Sequence, residues 1–189
     1  MAERPELYFE DHQQWRAWLN ENHADSNGVY LIFYKVGNPQ RSMRWEEAVK
    51  VALSYGWIDS TLKSLGDGKR KQYFCPRNPK SSWSALNKSY IKELTAEGLM
   101  HESGFKAIQT AKDNGRWTAY DNVENGVIPD DLQKAFDKVP LAFENYTKFS
   151  WTYQKSYLHW LNDAKRQETR DRRIKEIIKL CKANKNSRF

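Results

Sequence analysis

The chain has 189 residues, of which 39% are hydrophobic and 29% are charged, and its formal net charge is +7. Its 8 Trp, 10 Tyr and 8 Phe exclude a disordered polymer, because aromatic side chains supply the burial that offsets the entropy lost on ordering. No segment approaches the roughly 20 consecutive apolar residues of a membrane-spanning helix. Residues 1–15 lack the apolar run of a signal peptide. We therefore expect a folded, cytoplasmic protein.

Residue patterns in the first half of the chain predict helices and strands in alternation. Asp11 is placed to cap a first helix. The β-branched and aromatic run Val29–Val36 predicts a largely buried strand. Apolar residues at helical spacing predict a second helix over Glu46–Tyr55, and Gly56 ends it.

A β-hairpin is predicted next, because residues 57–65 and 69–77 flank Gly66-Asp67-Gly68. Pairing about Asp67 would place Trp57 opposite Arg77 and Asp59 opposite Cys75. Side chains alternate along a strand, so one face of the hairpin would be apolar and the other polar and aromatic. The apolar face would carry Ile58, Leu62, Phe74 and Pro76.

The polar face is the candidate site. A half-buried carboxylate at Asp59 is costly unless it is paired, and Arg77 is the natural partner, with a guanidinium that can also stack on Trp57. Two interpretations stay open: a pocket for a ligand, or a salt-bridged clamp that fastens the hairpin to the following helix. The candidate ligand-binding residues are Trp57, Asp59, Tyr73, Arg77, Trp83 and Asn87.

The segment from Arg77 to Ser84 combines cations, hydroxyls and the start of a predicted helix. Free amides and the helix dipole favour an anion there. Capping of the helix by Ser81 or Ser84 is the alternative, and it also explains the hydroxyls.

Residues beyond this segment are predicted to be mainly helical. We expect an α+β fold, in which a small antiparallel sheet with a central β-hairpin is packed by helices and followed by an all-helical C-terminal part. The predicted organisation is an α+β domain over residues 1–121, a linker over 122–128, and a helical region over 129–189 that packs on the first part as one compact unit. The predicted C-terminal helices are 130–137, a segment after Pro140, 152–164 and 167–183.

The positive charge is concentrated in this C-terminal region. From Lys148 to the end, twelve Lys or Arg residues stand against four acidic residues, whereas the first 147 residues sum to −1. Such a field can attract nucleic acid, or it can be a solvated helix face. The candidate anion or nucleic-acid contacts are Lys165, Arg166, Arg170 and Arg173.

Motifs for catalysis, metals and phosphates are absent from the sequence. The four histidines lie in separate segments, the two cysteines lack CxxC spacing, and no GxGxxG, GxxxxGK[ST] or GxSxG occurs. We therefore predict no metal and no cofactor, and a binding protein rather than an enzyme. An enzyme that uses Asp59 as general acid or base is kept as an alternative.

Five motifs in a fixed order carry a family resemblance. They are Gly56-Trp57-Ile58-Asp59-Ser60, the run from Pro76 to Asn87, Gly98-Leu99-Met100, Gly115-Arg116-Trp117 and the run from Ala164 to Arg170. From Trp15 to Lys182 the chain resembles the YdeI/OmpD-associated family, also called the bacteriocin-protection family.

The resemblance implies a bacterial or archaeal protein linked to protection against bacteriocins and cationic antimicrobial peptides. It also implies a loose grouping with YjbR/CyaY-like folds, and it brings no established enzymatic activity or cofactor. We do not carry over the family's association with an outer-membrane porin, because the sequence shows no export signal. The expected partner is a small anionic ligand or a protein, with nucleic acid as the alternative.

Overall fold

The computed structural model describes residues 4–188. These residues form two compact units, the first ending at Thr118 and the second beginning at Ala119. The α+β class predicted from the sequence is confirmed, with a sheet in the first unit and helices towards the C-terminus.

The first unit contains a four-stranded sheet with the order β1-β2-β4-β3. Its strands are β1 (Glu6–Tyr8), β2 (Val29–Tyr34), β3 (Trp57–Gly66) and β4 (Lys69–Pro76). β1 pairs with β2 in parallel, and the other two pairs are antiparallel. The sheet is therefore mixed and not purely antiparallel as predicted. The sequence did not predict β1, because a strand of three residues is too short to show a periodic pattern.

Four helices belong to this unit: α1 (His12–Asn22), α2 (Trp45–Ser54), α3 (Ala85–Ala96) and α4 (Glu102–Asp113). Asp11 caps α1 as predicted, since its carboxylate accepts hydrogen bonds from the backbone N–H groups of Gln13 and Gln14. Ser84 caps α3 by accepting a hydrogen bond from the Asn87 N–H. The helices and one sheet face enclose a core rich in aromatic rings, in which Trp15, Trp57 and Phe74 are almost completely buried.

The start of the hairpin does not have the predicted register. Trp57 lies opposite Pro76, not opposite Arg77. The backbone N–H of Arg77 instead donates to the Gly56 carbonyl, one residue before β3 begins. The prediction was wrong by one residue here.

The cause is an irregularity in the ladder between Asp59 and Leu62, where the register shifts by one residue. A bulge of this kind sets two residues of one strand against one residue of its partner. Asp59 consequently lies opposite Phe74 rather than Cys75. Because opposed residues share a face, Asp59 lies on the same sheet face as the buried ring of Phe74, and the predicted division of the hairpin into an apolar and a polar face was wrong.

Helix α4 approaches the end of α2 very closely. The N–H of His101 donates to the Ser54 carbonyl over 3.0 Å, and the Ser103 hydroxyl donates to the Tyr55 carbonyl over 3.0 Å. A Cβ at Gly104 would lie 2.2 Å from the Ser54 oxygen. Only glycine therefore permits this contact, which holds α4 against the end of α2.

The second unit consists of five helices in the described residues: α5 (Asp121–Glu124), α6 (Asp130–Asp137), α7 (Pro140–Lys148), α8 (Trp151–Asn162) and α9 (Gln167–Lys182). The four longer helices agree with the sequence prediction. They enclose a second core that includes Leu132, Phe136, Leu161 and Ile177, all of them fully buried. None of the helices in residues 4–188 combines the length and the apolar character needed to cross a membrane.

Candidate functional site

Arg77, the first residue after β4, has an unusual environment. Its guanidinium carbon lies 3.8 Å from the ring centroid of Trp83, and its Nη2 donates to the Ser82 carbonyl. Its Nε and Nη1 are buried and have no hydrogen-bond partner, and within residues 4–188 they are the only buried side-chain nitrogen or oxygen atoms in that state. Such unpaired groups are rare in native structures, since the lost hydration is costly.

Burial also lowers the pKa of Arg77 to about 10, while the nearby Asp59 carboxylate acts in the opposite direction. A group with this pKa is still charged at pH 7. The protein therefore holds a buried positive charge that no carboxylate neutralises by direct contact.

A small cavity of about 50 Å³ lies next to this guanidinium. A single water needs only about 10–15 Å³ of such space, so the cavity can hold a group of a few non-hydrogen atoms. Asn78 and Pro79 are exposed and place its mouth at the surface. The lining residues are Arg77, Asn78, Pro79 and Trp83 together with Ala107, Thr110 and Ala111 of α4.

Asp59 is held elsewhere by other partners. Its Oδ2 accepts hydrogen bonds from Trp45 Nε1, over 2.9 Å, and from Gln72 Nε2. No ion pair joins it to Arg77. The carboxylate therefore links the start of α2 to β4. This arrangement resembles the predicted clamp, but its partners are Trp45 and Gln72 instead of Arg77.

The other predicted site residues are distributed over the unit. Trp57 is 1% exposed in the core and donates from Nε1 to the His23 carbonyl. The predicted stacking of Arg77 on Trp57 was wrong, because Arg77 stacks on Trp83. Tyr73 lies on the opposite sheet face, paired with Tyr30. Asn87 lies in the first turn of α3, where its backbone meets the Ser84 cap. The cavity brings together only Arg77 and Trp83 from the predicted set.

Sequence reasoning missed the contributions of Gln72, Trp45 and α4. Gln72 reaches Asp59 only because of the register shift, and no residue type marks that shift. Thr110 and its neighbours reach the cavity because Gly104 lets α4 approach α2. A glycine one turn into a helix is a signal for close packing, but it does not name the partner.

The four predicted cationic contacts of the C-terminal region differ in whether other protein groups already engage them. Arg170 donates through two nitrogens to the Asp131 carboxylate. Arg173 donates to the Trp160 carbonyl, with its guanidinium carbon 5.1 Å from the ring centroid of that residue. Lys165 and Arg166 are exposed.

The described residues contain no group of three His, Cys, Asp or Glu side chains that could hold a metal ion. Cys181 is fully buried, and burial raises its pKa to about 12. Cys75 is partly buried, and burial raises the pKa of its thiol as well. Neither thiol has the lowered pKa that a nucleophilic cysteine needs.

The fold and the cavity together define a two-unit α+β protein with a small cavity beside a buried guanidinium in its sheet-containing unit. The chain belongs to the family described as a domain of unknown function (DUF8412), whose family model matches residues 7–107. A second family model, described as "Bacteriocin-protection, YdeI or OmpD-Associated", matches residues 125–184 and confirms the resemblance over that part of the chain, whereas four of the five motifs named for it lie before residue 125. No curated protein and no solved structure matches the chain.

Proposed function

We propose that the protein is a non-enzymatic binding protein for a small anionic ligand, with Arg77 as the anion contact and Trp83 as the wall behind it. The observation that carries the proposal is the buried guanidinium, whose Nε and Nη1 lack partners beside a cavity of about 50 Å³. Both nitrogens are inaccessible to solvent in this structure, so an anion in the cavity reaches them when the guanidinium or a lining side chain moves. It would then accept hydrogen bonds from both nitrogens and neutralise the charge. Charge-assisted hydrogen bonds of this kind are about twice as strong as neutral ones.

The size of the cavity limits the ligand class. A carboxylate, nitrate or halide ion, or the anionic end of a larger molecule projecting from the mouth at Asn78, fits the space. The indole of Trp83 covers one face of the guanidinium, so an anion approaches the guanidinium from another side.

A thermal-shift titration tests the proposal with sodium acetate, nitrate, phosphate and chloride at constant ionic strength. We expect at least one anion to raise the melting temperature of the wild type and to have no effect on Arg77→Met. Arg173→Met is a matched control, because Arg173 also stacks on a tryptophan and donates to a carbonyl. Equal shifts in the wild type and Arg77→Met would refute the site.

The family description supports a role in protection against bacteriocins, and we propose that anion binding serves this role. Its test is survival of a bacteriocin-sensitive bacterium that expresses the wild type or Arg77→Met at equal levels. Protection by the wild type alone supports the link. Equal protection by both variants would separate the cavity from the physiological role and would favour a protein partner bound elsewhere.

The two alternatives have less support. Nucleic-acid binding by the C-terminal helix has less support because two of its four candidate contacts, Arg170 and Arg173, already donate hydrogen bonds to Asp131 and to the Trp160 carbonyl. Catalysis by Asp59 has less support because its Oδ2 already accepts hydrogen bonds from Trp45 and Gln72. An activity that Asp59→Asn abolishes without lowering the melting temperature would restore the enzymatic alternative.

A further inference from the structure

The sheet face opposite the helices carries tyrosines and cations that the anion cavity does not use. Side chains of opposed residues share a face, so the pairing of Tyr30 with Tyr73 and of Ile32 with Tyr8 and Lys71 defines one surface. Ile32 and Tyr73 are buried, but no residue of this surface belongs to either hydrophobic core cluster of the described chain. We call it the open sheet face; its residues are Glu6, Tyr8, Tyr30, Ile32, Tyr34, Lys63, Lys69, Lys71 and Tyr73.

The tyrosines of this face form two pairs along β2. The ring centroids of Tyr30 and Tyr73 are 5.2 Å apart, and those of Tyr8 and Tyr34 are 5.9 Å apart. Tyr8, Tyr30 and Tyr34 are partly exposed. The surface thus offers aromatic rings at two successive places on one strand, about 13 Å apart at the rise of an extended chain.

Cations surround both pairs. The ammonium groups of Lys71 and Lys63 lie 4.8 Å and 5.7 Å from the Tyr30 ring centroid. That of Lys69 lies 6.0 Å from the Tyr34 centroid. Arg4 stacks on Tyr73 with its guanidinium carbon 4.1 Å from the ring centroid. Against these four cations stands the carboxylate of Glu6, which is paired with Lys71.

We propose that the open sheet face binds single-stranded nucleic acid. About two or three bases stack on the tyrosines, as on other four-stranded sheets that carry aromatic side chains. Backbone phosphates meet Lys63 and Lys69, whose ammonium groups move from the ring faces to the phosphates. Phosphate charge and exposed base faces match both features of this surface, whereas an acidic protein matches only the charge and a duplex hides its base faces.

Fluorescence anisotropy with a labelled oligothymidine and a labelled oligouridine of about twelve nucleotides tests the proposal at low salt. We expect both strands to bind and the matching duplex to bind much more weakly. An unlabelled strand should displace the probe at concentrations where polyglutamate does not. Equal binding of the duplex, or equal displacement by polyglutamate, would overturn the proposal.

Two substitutions at Tyr30 separate stacking from folding. Tyr30→Phe keeps the ring, so we expect unchanged affinity. Tyr30→Leu keeps an apolar side chain but loses the ring, and we expect affinity to fall about tenfold, as for one lost stacking partner. Circular dichroism checks that both variants fold. If Tyr30→Leu binds as the wild type does, bases do not stack on this face.

A matched pair of lysine variants tests whether the cations of this face contact phosphates. Lys63→Gln should reduce the slope of log affinity against log salt by about 0.7, the value for one phosphate contact of a single strand. Lys165→Gln removes an equally exposed lysine of the C-terminal region and should leave the slope unchanged. Arg77→Met should also bind normally, which separates this surface from the anion cavity. The opposite pattern, with the slope reduced by Lys165→Gln, would move the interface to the C-terminal region.

Discussion

Replacing Arg77 by methionine should remove anion binding without weakening the fold. Methionine keeps an unbranched stem against Trp83 and removes the charge together with its five N–H groups. Functional sites often carry groups that reduce stability, and a buried charge without a partner is of this kind. If Arg77 instead were a structural clamp, its replacement would lower the free energy of unfolding. The substitution therefore separates the ligand pocket from the structural clamp.

The magnitude follows from the contacts. The substitution loses the hydrogen bond to the Ser82 carbonyl, which contributes about 1 kcal/mol. It also loses the cation–π contact with Trp83, which contributes about 1 kcal/mol. It removes two buried nitrogens without partners, at about 1–3 kcal/mol each. The balance is a free energy of unfolding that is unchanged or higher by up to about 4 kcal/mol.

Urea denaturation followed by circular dichroism measures this balance in a buffer free of the binding anion. Arg173→Met is the control, because it loses the same two kinds of contact without removing an unpartnered buried nitrogen. We expect the control to lower the free energy of unfolding by about 1–2 kcal/mol. A loss of about 2 kcal/mol or more in Arg77→Met would refute the reasoning and show that the guanidinium is a structural clamp.

Three further predictions concern the fold around the site and the second unit. Asp59→Ala leaves the donors of Trp45 and Gln72 unpaired and should lower the free energy of unfolding by about 2–3 kcal/mol. Asp59→Asn keeps an acceptor oxygen and should lower it by about 1 kcal/mol. Equal losses in urea denaturation would contradict the structural role of these two hydrogen bonds. Gly104→Ala forces a Cβ against the Ser54 carbonyl and should lower the melting temperature by an amount equivalent to about 3 kcal/mol; a change below about 0.5 kcal/mol would contradict this contact. The hydrogen bonds from Arg170 lower the pKa of Asp131, so this pair stabilises the fold above about pH 4, and the stability is lost as the pH falls through the lowered pKa. In acid denaturation, Arg170→Gln should lose less free energy of unfolding than the wild type, and the difference should be only about 0.5 kcal/mol because the pair is partly exposed. Identical pH dependence of the two proteins would contradict a stabilising pair of Asp131 and Arg170.

Much of the fold could be predicted because local chemistry determines it. Asp11 and Ser84 have side chains that cap helices, and both act as caps. The turn at Asp67 and Gly68 joins β3 and β4 as expected. β1 could not be predicted, because its three residues carry no periodic signal and it forms by pairing with β2.

The candidate site was less predictable because it depends on register and on tertiary contacts. The shift between Asp59 and Leu62 moves Asp59 to Gln72 and Trp45 and away from Arg77. The adjacency of Arg77 and Trp83 follows from their short separation along the chain. That no carboxylate of the described residues forms an ion pair with the guanidinium became visible only in three dimensions.

A crystal structure of the wild type grown with sodium bromide would show whether Arg77 binds an anion, because anomalous scattering identifies bromide without ambiguity. We expect a bromide peak within hydrogen-bonding distance of both Nε and Nη1 of Arg77, in the cavity bordered by Trp83 and Thr110. A map with ordered bromide elsewhere on the protein and none at this guanidinium would contradict this expectation.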